Sequence, residues 1–224
     1  MYLETVDFSK ICWDGIQIVR TLPPSVQKPS RYSGSEVRRR LIPWETAKSR
    51  VLLAFPDVYE IGMSHLGTLL LYEIMNSRTG TLCERVFAPW MDMEEHLRVS
   101  GTLLPSLESG RPARDFDVIG FSLCYELTYT NVLSMLDLSG IPLLSRERGE
   151  TDPLILGGGV CTLNPAPIAP FFDAMLVGDG EEAVPEILSC LEMWKERNGT
   201  RRELLSALSI IAGVYVPGVS ARVS

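Results

Sequence analysis

The chain has 224 residues and a formal net charge of −7. That length can bury a core without disulfide staples, and the acidic balance disfavours non-specific nucleic-acid binding as the main task. Hydrophobic residues at 46% and charged residues at 22% are ordinary globular values, which excludes a disordered or fibrous chain. The size suits one α/β domain with extensions, or two small domains. No apolar run reaches the ~18 residues of a membrane-spanning helix. The start, MYLETVDFSK, lacks the basic-then-apolar pattern of a secretory signal, so no membrane association is expected. The five cysteines (Cys12, Cys83, Cys124, Cys161 and Cys190) are odd in number and widely spaced, and no two form Cys-x-x-Cys. They predict free thiols in a cytoplasmic compartment, not a disulfide scaffold or a zinc site. The basic clusters Arg38-Arg39-Arg40 and Arg201-Arg202 read as solvated surface.

In chain order, residues 1–49 are irregular, broken by Pro23-Pro24 and Pro29. They read as a strap across the main domain, with a short amphipathic helix ahead of Pro23. The first strand is Val51 to Phe55, stopped by Pro56, which has no N–H for the ladder. A helix follows from about Met63 or His65 to Ser77, with Leu66, Leu69, Leu70, Ile74 and Met75 as its apolar stripe. Strands are expected at Glu84–Ala88, Val118–Leu123, Pro142–Ser145, Leu154–Leu156 and Ala174–Val177. Helices are expected at Met91–Ser100, Glu126–Ser139, Glu181–Arg197 and 200–209, with Gly140 as a C-terminal stop. Alternating strands and helices imply right-handed crossovers. The expected fold is α/β: a Rossmann-like or flavodoxin-like three-layer sandwich with a mainly parallel sheet of about five strands. The domain would span 50–209, and the strand-like run 210–224 would be a linker toward a missing catalytic domain.

Three glycine-containing turns follow three strands: Asp57 to Gly62, Gly157-Gly158-Gly159, and Gly178-Asp179-Gly180. Ser122 ends a fourth strand. In a parallel sheet these lie at one edge, where open α/β folds bind ligands, and glycine lets backbone approach a ligand closely. Simple strand-to-helix geometry accounts for the turns equally well. Gly-x-Gly-x-x-Gly and Gly-Lys-Ser/Thr are absent, so neither a dinucleotide fingerprint nor a Walker A loop is supported. Among the acidic residues near this edge, Glu181 and Glu182 would favour the positive end of a helix, and Asp57 could be an N-cap. Tyr59 could be a half-buried aromatic. His65 reads as a capping or packing residue, and Cys124 and Cys161 as buried thiols just beyond strand ends.

Several motifs occur in order: Lys28-Pro29-Ser30-Arg31-Tyr32, FPDVYEIGMSHLG (55–67), CERVFAPW (83–90), DVIGFSLCYELTYTNVL (117–133), LILGGGVCTLNPAPIAPFFDA (154–174) and VGDGEEAVPEIL (177–188). Together, over about residues 28–218, they resemble the N-terminal half of a family of bacterial radical SAM proteins with a cobalamin-binding-like domain. The resemblance places Asp57, Tyr59 and Gly62 in an Asp-x-His-x-x-Gly frame, with Tyr59 where the histidine would be. Ser122 and Leu123 fall near the Ser-x-Leu region, Gly157 and Gly158 in the glycine pair with Gly159 after them, and Gly178, Asp179, Gly180 and Glu181 in the turn at the last strand. It implies an accessory domain that binds a corrinoid, or positions substrate, over a radical SAM barrel supplied in cis or in trans. The domain alone would not be catalytic. A phenol is a poor substitute for an imidazole on cobalt. The Cys-x3-Cys-x2-Cys triplet of radical SAM catalysis is absent, so the four-iron four-sulfur cluster and S-adenosylmethionine would belong to the missing domain. The alternative is a cofactor-free interaction module that keeps the fold. A flavodoxin-type flavin or nucleotide binder is weaker, because the first loop has no phosphate cradle.

Overall fold

The computed structural model describes residues 22–34 and 41–219. The helix expected ahead of Pro23 and the Arg38-Arg39-Arg40 cluster lie outside the described residues. Six strands form one sheet, in which the strand second along the chain lies at one edge and is followed in space by the first, third, fourth, fifth and sixth. Strands β1 (Ser49–Phe55), β2 (Thr81–Phe87), β3 (Val118–Ser122), β4 (Leu154–Gly158) and β5 (Ala174–Leu176) run parallel. The short β6 (Val214–Tyr215) pairs antiparallel to β5. The Rossmann-like class is as expected; the strand count is six, because part of the run after Ile210 joins the sheet. Strand order reverses between β1 and β3, where an open parallel sheet leaves a crevice.

Period-two alternation divides the strand residues between two cores. Val51, Leu53, Val118, Leu154 and Ala174 face α2 (Leu66–Ser77), α5 (Gly180–Arg197) and α6 (Arg201–Leu208), meeting Met75, Ile187, Leu188 and Leu208. Leu52, Ala54, Ile119, Phe121, Ile155 and Met175 face α3 (Met91–Ser100) and α4 (Tyr129–Leu138), meeting Met93, Leu97, Val132 and Met135. On this second face the segment 22–34 crosses the domain. Val26 is buried there, Tyr32 accepts a hydrogen bond from Trp90 N at 3.0 Å, and Arg31 pairs with Glu60 at 2.9 Å.

The first helix does not run unbroken from Met63. A single turn, α1 (Tyr59–Gly62), precedes α2. The break comes from His65, whose Nδ1 accepts the Thr68 backbone N–H at 3.1 Å and so caps α2. No strand forms at 142–145. The Pro142 and Leu143 carbonyls accept from the buried Arg148 guanidinium at 3.0 and 2.8 Å, so they are not available to a ladder. Arg201 is also buried, bonded to Asp173 at 2.8 Å, whereas Arg202 is exposed. The solvated reading thus holds for only one of that pair.

The edge strand β2 is buried along its whole length because the segment 104–112 covers it. Leu107 N donates to Arg85 O at 2.7 Å, and Arg85 N and Nε each donate to Glu108 at 2.7 Å. Glu84 accepts from Ser106 and Ser109. This closes a row of backbone groups that would otherwise template aggregation. Burial pushes the Glu108 carboxyl up to about 7, with Arg85 pulling it back down. A raised carboxyl means that the folded state holds the proton more tightly than the unfolded chain. Its stabilising contribution is therefore complete below about 4.5 and lost as pH rises through about 7. Glu108→Gln, a mimic of the protonated form, is expected to flatten that fall in urea midpoints measured between those pH values. Wild-type and variant curves that stay parallel would refute it.

Candidate functional site

At the switch point the sheet is thin. Register aligns Leu53 with Gly120, Gly120 with Leu156, and Ser122 with Gly158. By alternation Gly120, Ser122 and Gly158 all face α2 and α5. With no large side chain at these three places, the sheet and the two helices do not close on each other. A cavity of about 460 Å3 remains. It opens at the carboxyl edge between His65, Ser122, Cys124, the Gly157–Gly159 turn and the Gly178–Glu181 turn, and runs inward past Val51, Leu53, Met75, Val118 and Leu188.

The glycines have distinct jobs. A Cβ on Gly158 or Gly178 would meet no atom within 4 Å, so both border open space. A Cβ on Gly157 would point to the opposite face and meet Leu123 and Phe172 at 3.1 Å. Gly159, at φ 108°, lies 2.7 Å from the Leu123 carbonyl by the same measure, and only glycine suits both constraints. That tight turn lets Leu123 N donate to Gly158 O at 2.6 Å and Cys161 N to Leu123 O at 3.1 Å. Leu123 itself is fully buried in the other core and does not line the cavity.

A polar chain crosses the mouth. Thr68 Oγ1 lies 2.9 Å from His65 Nδ1 and 3.3 Å from Ser122 Oγ, and His65 Nε2 lies 3.4 Å from Cys124 Sγ. Because Nδ1 accepts the Thr68 N–H, the neutral ring carries its proton on Nε2 and points it at the sulfur. Burial, with a smaller effect from Cys161, raises the Cys124 thiol, so it stays protonated at neutral pH and is not an activated nucleophile. At the other side of the mouth Asp179 is the N-cap residue of α5, and Glu181 and Glu182 occupy its first turn. Three carboxylates at this helix start disfavour a polyphosphate. Among the described residues no cluster of three His, Cys, Asp or Glu side chains could hold a metal ion, and no helix is long and apolar enough to cross a membrane.

Of the residues singled out in the sequence, Ser122, Gly157, Gly158, Gly159, Gly178, Asp179, Gly180 and Glu181 line this cavity. Asp57, Tyr59 and Gly62 do not. Asp57 ties two turns together, accepting from Val58 N at 2.7 Å and from the Tyr125 hydroxyl; that bond pushes Tyr125 up to about 12. Val58, not Asp57, is the N-cap residue of α1. Tyr59 packs edge-on against Phe87, with centroids 5.5 Å apart, and lines a second cavity of about 310 Å3 on the α3 side. A Cβ on Gly62 would lie 2.3 Å from the Phe87 ring, so this glycine serves close packing. Sequence reasoning missed Gly120, although a glycine inside a strand is itself a sign of close approach.

These features define a Rossmann-like domain with an apolar cavity at its topological switch point. The model of the family described as Radical SAM proteins, N-terminal, matches residues 67–217, and the chain belongs to that family. A structural search finds the radical S-adenosylmethionine methyltransferase TsrM from Kitasatospora setae, solved with tryptophan substrate and the SAM analogue aza-SAM, at 14% identity and a TM-score of 0.42. The match covers 75% of this chain and 28% of that one. No curated protein matches the chain.

Proposed function

We propose that the chain is the accessory module of a radical SAM protein and holds a corrinoid at the carboxyl edge of its sheet, with the nucleotide tail in the switch-point cavity. The observation that carries this reading is the Gly120–Ser122–Gly158 slot, which leads from a polar mouth into an apolar space at the place where the cobalamin-domain resemblance puts the tail. Gly158, Gly178 and Ser122 would flank the tail, and Val51, Met75, Val118 and Leu188 would surround its base. When bound, a corrinoid supplies a cobalt centre suited to carrying a methyl group. The chain's own part is binding and orientation.

Neither histidine is placed to ligate cobalt. Both ring nitrogens of His65 are engaged, and His96 lines the second cavity. The bound corrinoid is therefore expected to lack histidine ligation. Exposed Ile61, Leu66, Leu127, Val160 and Leu163 lie in the segments that follow β1, β3 and β4 at the carboxyl side of the sheet, and Val160 also lines the cavity. An apolar rim of this kind fits a surface that another domain covers. It is the observation that favours the second reading, a cofactor-free module whose task is to dock on the radical SAM domain. In either case the domain would centre on 50–209 with residues 1–49 as a strap, and the iron–sulfur cluster and S-adenosylmethionine would belong to the barrel.

The test is a visible-absorbance titration of the purified chain with hydroxocobalamin and methylcobalamin, read after desalting. Saturable retained absorbance is expected. A colourless protein that circular dichroism shows to be folded would favour the docking module.

A further inference from the structure

The cavity is divided by polarity. The polar side chains that line it, His65, Ser122, Cys124, Asp179 and Glu181, all stand at the carboxyl edge. Level with Gly120 and inward of it the walls are aliphatic or thioether: Leu156 beside Gly120, Val51 and Val118 deeper in the sheet, Met75 from α2, Ile187 and Leu188 from α5. The Tyr72 hydroxyl is buried nearby without a hydrogen-bond partner. It does not line the cavity, and its ring lies 4.5 Å from the Arg85 guanidinium on the β2 side. The strands in the wall spend their backbone groups on the parallel ladder, so they offer an incoming base nothing further.

Resting on the corrinoid reading above, we infer that this site selects among corrinoids by their lower base. It takes the apolar-edged dimethylbenzimidazole of cobalamin and discriminates against an adenine base. Adenine would carry an exocyclic amine and additional ring nitrogens into the depth of the cavity, where each loses water and finds no partner. Both bases are flat and close in size, so shape alone does not separate them. The discrimination is the penalty for unpaired polar groups, which in a hydrophobic pocket amounts to roughly 10- to 100-fold in affinity.

The test uses the whole chain and three probes: cobalamin, the adenine-containing cobamide, and cobinamide, which lacks the tail. Dissociation constants come from retained absorbance. Cobalamin is expected to bind roughly 10- to 100-fold more tightly than the adenine form, and cobinamide more weakly than cobalamin. Equal binding of the two complete corrinoids, or tighter binding of the adenine form, would overturn the selectivity and leave the corrinoid site standing. Cobinamide binding as well as cobalamin would show that the tail does not use the cavity, which overturns the inference as well. Binding of none of the three would remove the corrinoid reading itself. Met75→Gln places an amide in the depth with little change of volume. It is expected to narrow the ratio, and an unaltered ratio in a variant folded by circular dichroism would put the base elsewhere.

Discussion

On the corrinoid reading proposed above, Gly158→Val is expected to weaken corrinoid retention by more than roughly 10-fold while leaving the protein as stable as the wild type or slightly more so. The two effects have opposite signs because of where the new atoms go. Gly158 is the last residue of β4 and its backbone is extended, a conformation in which valine is favoured. Its Cβ would meet nothing within 4 Å, so the branched side chain enters the cavity and not the core. Replacing glycine within a strand also removes chain entropy from the unfolded state, worth roughly 0.5–1 kcal/mol. The new methyl groups stand beside Ser122 at the neck of the slot and occlude it. Affinity should fall by more than roughly 10-fold, the scale of 1.4 kcal/mol. Gly157→Val is the informative contrast. One residue earlier the side chain points through the sheet to Leu123 and Phe172, and overpacking there costs about 1–3 kcal/mol. That variant should melt earlier. Retained absorbance and thermal melts on both variants read these outcomes, and undiminished retention by a folded Gly158→Val would exclude the slot as the tail's path.

The sequence displayed the sheet more openly than the site. A run such as Val51–Phe55 is buried on both faces, and its uninterrupted apolar character marks a parallel strand whatever surrounds it. The helices were legible for the same reason, since a stripe such as Ile187, Leu188 and Leu191 exists only to be buried. Failures came where a distant group decides a local outcome. Pro142–Ser145 has a strand's composition, yet its carbonyls are claimed by Arg148. Arg201 looked like half of a surface pair until Asp173, 28 residues away, was seen to take it inward. The site was half visible: the turns after β4 and β5 do converge on one cavity. The turn after β1 points elsewhere, because Phe87 from β2 packs against Tyr59 and Gly62, and no local pattern announces such a contact. The apolar walls of the cavity could not be told from core positions, since a leucine facing a void and a leucine facing another leucine look alike in sequence.

Asp173→Asn should be among the most destabilising single changes in the chain while sparing the cavity. Asp173 stands just ahead of β5, at the amino edge of the sheet opposite the mouth. Its Oδ2 accepts from Arg148 at 3.1 Å, Arg201 at 2.8 Å and Ile155 N at 2.7 Å. All three side chains are buried. The arginines in turn donate to the carbonyls of Leu143, Phe171, Asp152 and Pro153, so one carboxylate fixes the loops before β4 and β5 and the start of α6. Burial draws the Arg148 guanidinium below its ordinary value, a measure of how poorly solvent supports it there. Asparagine keeps the volume and one acceptor but removes the only carboxylate with which the two guanidinium groups form ion pairs among the described residues. Two guanidinium groups are then left without a counter-ion, and breaking a buried pair in this way costs about 3–5 kcal/mol. In a domain of this size each kcal/mol lowers the melting temperature by roughly 2–4 °C, so a drop on the order of 10 °C is expected. Exposed Arg202, mutated to alanine, should change little. Corrinoid retained per folded molecule at low temperature should match the wild type, because no residue of the network lines the cavity. A loss below about 1 kcal/mol would mean that water or a local shift supplies the missing partner. A loss of retention without a loss of stability would mean that the two edges of the sheet are coupled.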